Sequence, residues 1–374
     1  MMKLKNNKIM KAGIASLLFL TISGTVVAQS NYKESSNSFA KYSQTGELTH
    51  LESAKKFIDA AYKTRRDSSN TRVNLLRGMI YSSMAYADST RKIKNDKDPI
   101  EITTHALSRI KPRDLSNFQG ELDYIKQNLA AAYIYKANKS IESENFEDAY
   151  SDFLQVEKLG SKGEDVTYNL ALLASQTDKI DDAIFYYKKL IDNTDADAGK
   201  YLELANLYHK KSENQLYLNT LQTARTKFLD NKDVLFQLVE VYAQNKSYAA
   251  IVPIIDEALK FEPENIQLNY LAGFANENEQ NIEAAKKYYA KVILLNEGNY
   301  DANLALGLIH LNAFLKDKNN LEAQYDAQSY LLKANEIKPY AVNTLKGLAL
   351  FYEAADDVVQ LDRVNMLLNQ LSNN

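Results

Sequence analysis

Cysteine is absent from the 374 residues. That excludes disulfides, thiolate metal sites and a diacylglyceryl lipoprotein anchor. Proline and glycine are scarce, at five and twelve, and no Pro/Gly/Ser-rich linker divides the chain. Runs of alternating β-branched residues are missing too. Leu, Ala, Lys, Glu and Asn abound instead, so the composition predicts an all-α fold. Histidine occurs only at His50, His105, His209 and His310, each in a different predicted helical hairpin. Glu47 and His50 have E-x-x-H spacing but no third ligand, which reads as surface polarity rather than a metal site. Ser53 and Lys56 form an S-x-x-K match with no second motif, and Ala54 inside it is wanted for packing. There is no Gly-rich phosphate loop and no G-x-S-x-G. The sequence therefore predicts no catalytic residue, no cofactor and no metal: not an enzyme.

The first 28 residues have the layout of a secretory signal peptide. Lys3, Lys5, Lys8 and Lys11 precede an apolar stretch from Ala12 to Val27, and Val26-Val27-Ala28 supplies small residues before Gln29. The stretch is too short and too diluted by Gly13, Ser16, Thr21, Ser23 and Gly24 for a spanning helix. No other stretch is apolar enough to be an integral membrane segment. The expectation is an exported protein, periplasmic or secreted, whose formal charge falls from −3 to −7 when those four lysines are removed. A mildly acidic body with one basic cluster, Arg91-Lys92-Ile93-Lys94, argues against nucleic acid as partner.

What the chain does have is a repeat. Lys232 to Asn299 holds two tandem copies of one pattern, each with two amphipathic helices joined by a polar turn, at a period of ~34 residues. Leu238, Val239, Tyr242, Ala258 and Pro263 mark the first copy, and Gly273, Ala285 and Tyr289 the second. Small residues at these points let crossing helices approach while large ones fill the grooves. The pattern resembles the tetratricopeptide repeat.

In register with it, Glu164 to Ala196 carries Leu170, Ala171, Ala183 and Tyr187. Ala198 to Asn231 carries Tyr201, Leu204, Ala205, Tyr208 and Ala224. The expected organisation is a polar leader or degenerate helix over 29–47, irregular hairpins over 48–160 and a regular array over 161–299. A repeat with an insertion spans 300–341, and a C-terminal capping hairpin spans 342–374. Charged loops are expected at 88–98 and around Lys316 to Asn320. Pro253 should delay or kink its helix, and a polar outer face at Asp362, Arg363 and Asn365 should cap the end.

The resemblance implies a right-handed superhelical solenoid of antiparallel helix pairs, with the first helix of each pair lining a concave groove. Carried onto this sequence, the groove row includes Tyr168, Leu172 and Gln176, then Leu202, Asn206 and His209. Phe236, Glu240 and Gln244 follow, then Tyr270, Phe274 and Glu277, and lastly Leu304, Leu308 and Leu311. The candidate binding residues are Tyr168, Asn206, His209, Phe236, Glu240, Tyr270, Phe274 and Glu277. The aliphatic C-terminal end of the row is equally a self-filled interior. The Lys/Arg/Asn set with which some members of this family clamp acidic tails is lacking, since only Asn206 and Lys346 occupy such positions. The implied function is a scaffold or adaptor holding another envelope protein, or an extended peptide segment of one. An assembly role through convex or capping surfaces is the alternative, and an enzyme or enzyme accessory a remote one.

Overall fold

The computed structural model describes residues 28–63, 66–193 and 195–372, so the predicted signal peptide, apart from its last residue Ala28, lies outside the described residues. The described residues are all α, with no strand. They fall into two compact units, up to Asp195 and from Ala196 on.

The first unit holds four helical hairpins: α1 (Ala28–Thr45) with α2 (Leu48–Ala61), α3 (Thr71–Ala87) with α4 (Pro99–Ser108), α5 (Gln119–Glu142) with α6 (Phe146–Lys158), and α7 (Glu164–Gln176) with α8 (Ile180–Ile191). Between the expected leader and degenerate helix, a helix is found. Phe39 is buried on α1, and the buried Ser35 Oγ donates to the Ala54 carbonyl at 2.8 Å, which brings the two backbones close. The 88–98 segment is a loop, but a tethered one. The Asp88 carboxylate is buried and accepts from the Lys92 and Ile93 amides at 2.8 Å each, and Ile93 is drawn into the core.

The second unit holds five hairpins: α9 (Ala198–Lys210) with α10 (Asn214–Lys227), α11 (Lys232–Gln244) with α12 (Tyr248–Phe261), α13 (Ile266–Asn278) with α14 (Ile282–Leu295), α15 (Tyr300–Lys316) with α16 (Leu321–Ile337), and α17 (Val342–Ala354) with α18 (Val358–Ser372). Within each unit the hairpins pack on their sequence neighbours. This is the solenoid principle: no hairpin buries its apolar face alone.

The period is written into the turns as well as the cores. Asp197, Asn231, Asn265 and Asn299 recur at about 34 residues, and each side chain accepts from a first-turn amide of α9, α11, α13 or α15 at 2.9–3.0 Å. That satisfies donors a helix start otherwise leaves unpaired. Buried Asn269 and Asn303, one period apart, bind the preceding turn through carbonyls of Pro263 and Asn265, and of Glu297 and Asn299. The turns inside five successive hairpins, α5/α6 to α13/α14, use a left-handed residue at the same interval: Glu144, Asp178, Ser212, Lys246 and Gln280 all have φ between 55° and 62°. None is glycine, so each turn carries backbone strain that the packing around it holds.

Second helices of successive hairpins are tied by polar pairs about one period apart. Tyr150 Oη donates to Asp182 at 2.9 Å and Lys179 to Glu147 at 2.6 Å, and Arg225 bonds Glu257 and Tyr288 bonds Asp256. Such pairing and burial raise phenol pKa values. Burial is the main cause at Tyr42, pushed up to about 12, and also at Tyr81, Tyr150, Tyr186 and Tyr289, where a neighbouring carboxylate adds to it. Below pH 10 these phenols are neutral in both states and contribute no pH dependence. Above it the unfolded chain releases protons that the folded one keeps, so stability falls as pH rises. Urea melts are expected to show midpoints unaffected by phenol ionisation up to pH 9 and declining beyond 10. The slope is at most about 1.4 kcal/mol per pH unit for each such tyrosine.

Three expectations are qualified. First, the loop expected around Lys316 to Asn320 is present at 317–320 but is short. Relative to the regular repeats, α15 and α16 each gain roughly one turn, leaving only 317–320 between them. The added turns are apolar, with Phe314 and Ala323 buried and Phe314 against Phe351 at 5.9 Å between centroids. Second, α12 does not start late; it begins at Tyr248 and runs through Pro253. The missing amide would have bonded Ala249, which is exposed like Pro253, so water serves that carbonyl while Ile251, Ile255 and Ala258 stay buried. Third, the capping face is not polar throughout. Asp362, Arg363 and Asn365 are exposed, but so are Val359 at 76% and Met366 at 60%.

Candidate binding groove

On α11, Val234, Leu235, Leu238, Val239 and Val241 turn into the core. The helix period therefore turns Asp233, Gln237, Glu240 and Gln244 outward, while Phe236 and Ala243 stand half-buried against the edge of the core. On α13 the buried set is Leu268, Asn269, Ala272, Gly273, Ala275 and Asn276, which leaves Gln267 and Leu271 facing α11. Between the two helices lies an open concavity of about 530 Å³, lined by the α11 face together with Val239, Asn265, Gln267, Leu268 and Leu271.

The lining is acidic and amide-rich over an apolar floor. Asp233 and Glu240 are its only charged members. Lys232 is nearby but committed: its ammonium pairs with Glu262 at 2.8 Å and lies 5.2 Å from the Phe236 ring centroid. Hydrogen bonds from Lys232 and Asn265 hold the Glu262 carboxyl below its ordinary pKa. Glu240 accepts from Gln244 at 3.2 Å. The Gln237 Oε1 is buried and has no hydrogen-bond partner.

Of the eight candidate residues, Phe236 and Glu240 line this concavity. The other α13 residues lean elsewhere. Tyr270 stacks on Phe274 at 6.3 Å and tilts against buried Tyr289 at 5.5 Å, and Phe274 meets Tyr248 of α12 edge-on at 5.2 Å. Glu277 accepts from the Tyr289 hydroxyl at 2.7 Å, so its carboxylate serves the core. Asn206 and His209 are exposed on α9, with the His209 ring 4.8 Å from that of buried Tyr217. Tyr168 belongs to the first unit, on α7, and is 41% exposed. At the C-terminal end of the row, Leu311 is buried and Leu304 and Leu308 pack on a cluster containing Leu331, Leu348 and Phe351. There the helices fill their own interior.

Gln237, Gln267 and Leu271 were not among the sequence candidates. Gln267 stands about one 34-residue period after Asp233, and Leu271 one after Gln237, but neither Asp233 nor Gln237 belonged to the expected groove row, so the period alone did not mark them. The tyrosines at the repeat's packing positions behave as packing residues, with Tyr187, Tyr208 and Tyr289 buried and Tyr242 half-buried, whereas Tyr86, Tyr135, Tyr325 and Tyr340 are exposed. The histidines are separate: His50 contacts Glu47 and His310 contacts Asp326, at 3.5 Å each, and burial lowers the His310 pKa. Among the described residues no group of three His, Asp or Glu side chains is placed to hold a metal, and no helix is long and apolar enough to cross a membrane.

The family model described as tetratricopeptide repeat matches residues 165–196 and 266–299, the α7/α8 and α13/α14 hairpins. The chain carries tetratricopeptide repeats. Solved structures similar to this repeat chain include a MamA protein, at 20% identity over 46% of this chain and 93% of that one, with a TM-score of 0.38. YrrB, described as a TPR protein with an unusual peptide-binding site, is 18% identical over 45% of this chain and 87% of its own, with a TM-score of 0.36. The C-terminal part of a TPR repeat-containing protein from Cytophaga hutchinsonii is 16% identical over 64% and 95%, with a TM-score of 0.45. No curated protein sequence matches the repeat chain.

Proposed function

We propose that the protein is an exported, non-enzymatic scaffold that holds an extended segment of another envelope protein in the groove between α11 and α13. The observation that carries this reading is the concavity itself. Phe236, half-buried at the edge of the core, stands there with an apolar floor and several side-chain amides, which is the composition of a peptide-recognition surface.

The test is a photo-crosslinking residue placed in turn at Gln244, Gln267 and the exposed Lys260 on α12, in intact cells. The two groove positions are expected to mark one common protein that Lys260 does not. Phe236→Ala is expected to weaken its capture about 5- to 30-fold, the range for truncating an anchor. Equal labelling from Lys260, or capture indifferent to Phe236→Ala, contradicts the groove reading. The second outcome favours assembly through the chain end, where Val359 and Met366 are exposed on α18.

Export rests on the order of charged, apolar and small residues before Gln29. The intact mass of the protein purified from its native envelope is expected to begin at Gln29. A mass that retains Met1 contradicts it.

A further inference from the structure

We infer that the groove selects its segment by a cationic side chain, arginine or lysine, seated along α11 between Asp233 and Glu240. This names the ligand chemistry of the groove proposed above and rests on that reading. Asp233 and Glu240 lie two helical turns apart on one face, roughly 10 Å along the axis, with Gln237 between them. All three residues line one concavity to which no basic residue contributes, and both carboxylate residues are exposed. Lys232 does not neutralise the pair, because its partner is Glu262.

The charge of the lining decides between classes of occupant. An aliphatic side chain would leave Asp233 and Glu240 without a counter-charge, and a carboxylate would bring them a like charge. A guanidinium or ammonium has donors only and supplies the missing charge. Its methylene stem suits the floor formed by Phe236 and Leu271. The Phe236 ring already accepts one ammonium, that of Lys232, and cations favour such faces.

The experiment pans a random octapeptide library, displayed on phage, against the full exported chain. It repeats the panning on the Asp233→Asn/Glu240→Gln variant and on Phe236→Ala. Both carboxylates are exposed and their replacements isosteric, so the double variant is expected to keep its helicity by circular dichroism. The inference expects arginine or lysine to be enriched in the selected peptides. The winning peptide should bind the double variant about tenfold more weakly, as two partly screened ion pairs allow, and less tightly at high salt.

Peptides that are neutral or acidic, or cationic peptides that bind the double variant undiminished, overturn the inference. If those peptides still fail on Phe236→Ala, the groove reading survives that result. Enrichment of no peptide at all overturns both.

Discussion

Tyr289→Ala is expected to lower the unfolding free energy of the second unit by about 3–5 kcal/mol, the cost of truncating a fully buried aromatic side chain. Tyr289 has no exposed surface, and its ring fills the space that Gly273 leaves open. A Cβ built at 273 would come within 2.7 Å of the ring. The ring also supports Tyr270, and its hydroxyl donates to Glu277 at 2.7 Å. Truncation therefore removes a packed ring, opens a cavity beside glycine and strips Glu277 of a partner. Tyr289→Phe keeps the ring and loses only the hydrogen bond, so about 1–2 kcal/mol is expected. Urea midpoints of the three proteins check this. An alanine variant within about 1 kcal/mol of the parent would show that the α13/α14 hairpin is not held by this contact.

The fold was largely legible because its determinants are local and recur. Small residues at Ala171, Ala205, Gly273 and Gly307 mark where helices cross. At Gly307 the approach is close enough that a Cβ would meet the Leu331 side chain at 2.9 Å and its backbone nitrogen at 3.1 Å. A single sequence shows such residues directly. The loop around Lys316 to Asn320 was legible, but the helix extensions that flank it were not. The apolar side chains that lengthen the helices, Phe314 and Ala323, lie on either side of it. That Pro253 does not delay α12 was not legible, because its penalty depends on which face of the helix it occupies, and burial is settled by tertiary packing.

The groove was legible as a row and not as a site. Phe236 and Phe274 belong to the same row, yet one lines the concavity and the other is covered by Tyr248 from the preceding hairpin. Glu240 and Glu277 differ likewise, because only Glu277 has a tyrosine hydroxyl within reach on the helix behind it. Neighbours of this kind come from other helices, of the same hairpin or the adjoining one, and helical periodicity within one element carries no record of them.

The account stands on hairpins that need only their neighbours, and excising one whole hairpin tests that most directly. Deleting 232–265 joins Asn231 to Ile266. It gives α13 the cap that α11 now uses, and it sets Tyr217, Leu221 and Ala224 of α10 where Ile251, Ile255 and Ala258 of α12 now pack. The shortened chain is expected to fold, with helicity per residue unchanged and cooperative urea unfolding, while capture by the groove disappears with Phe236, Gln237 and Glu240. A deletion product that loses its helicity, or unfolds without a transition, would contradict the claim that the chain is built by stacking neighbours.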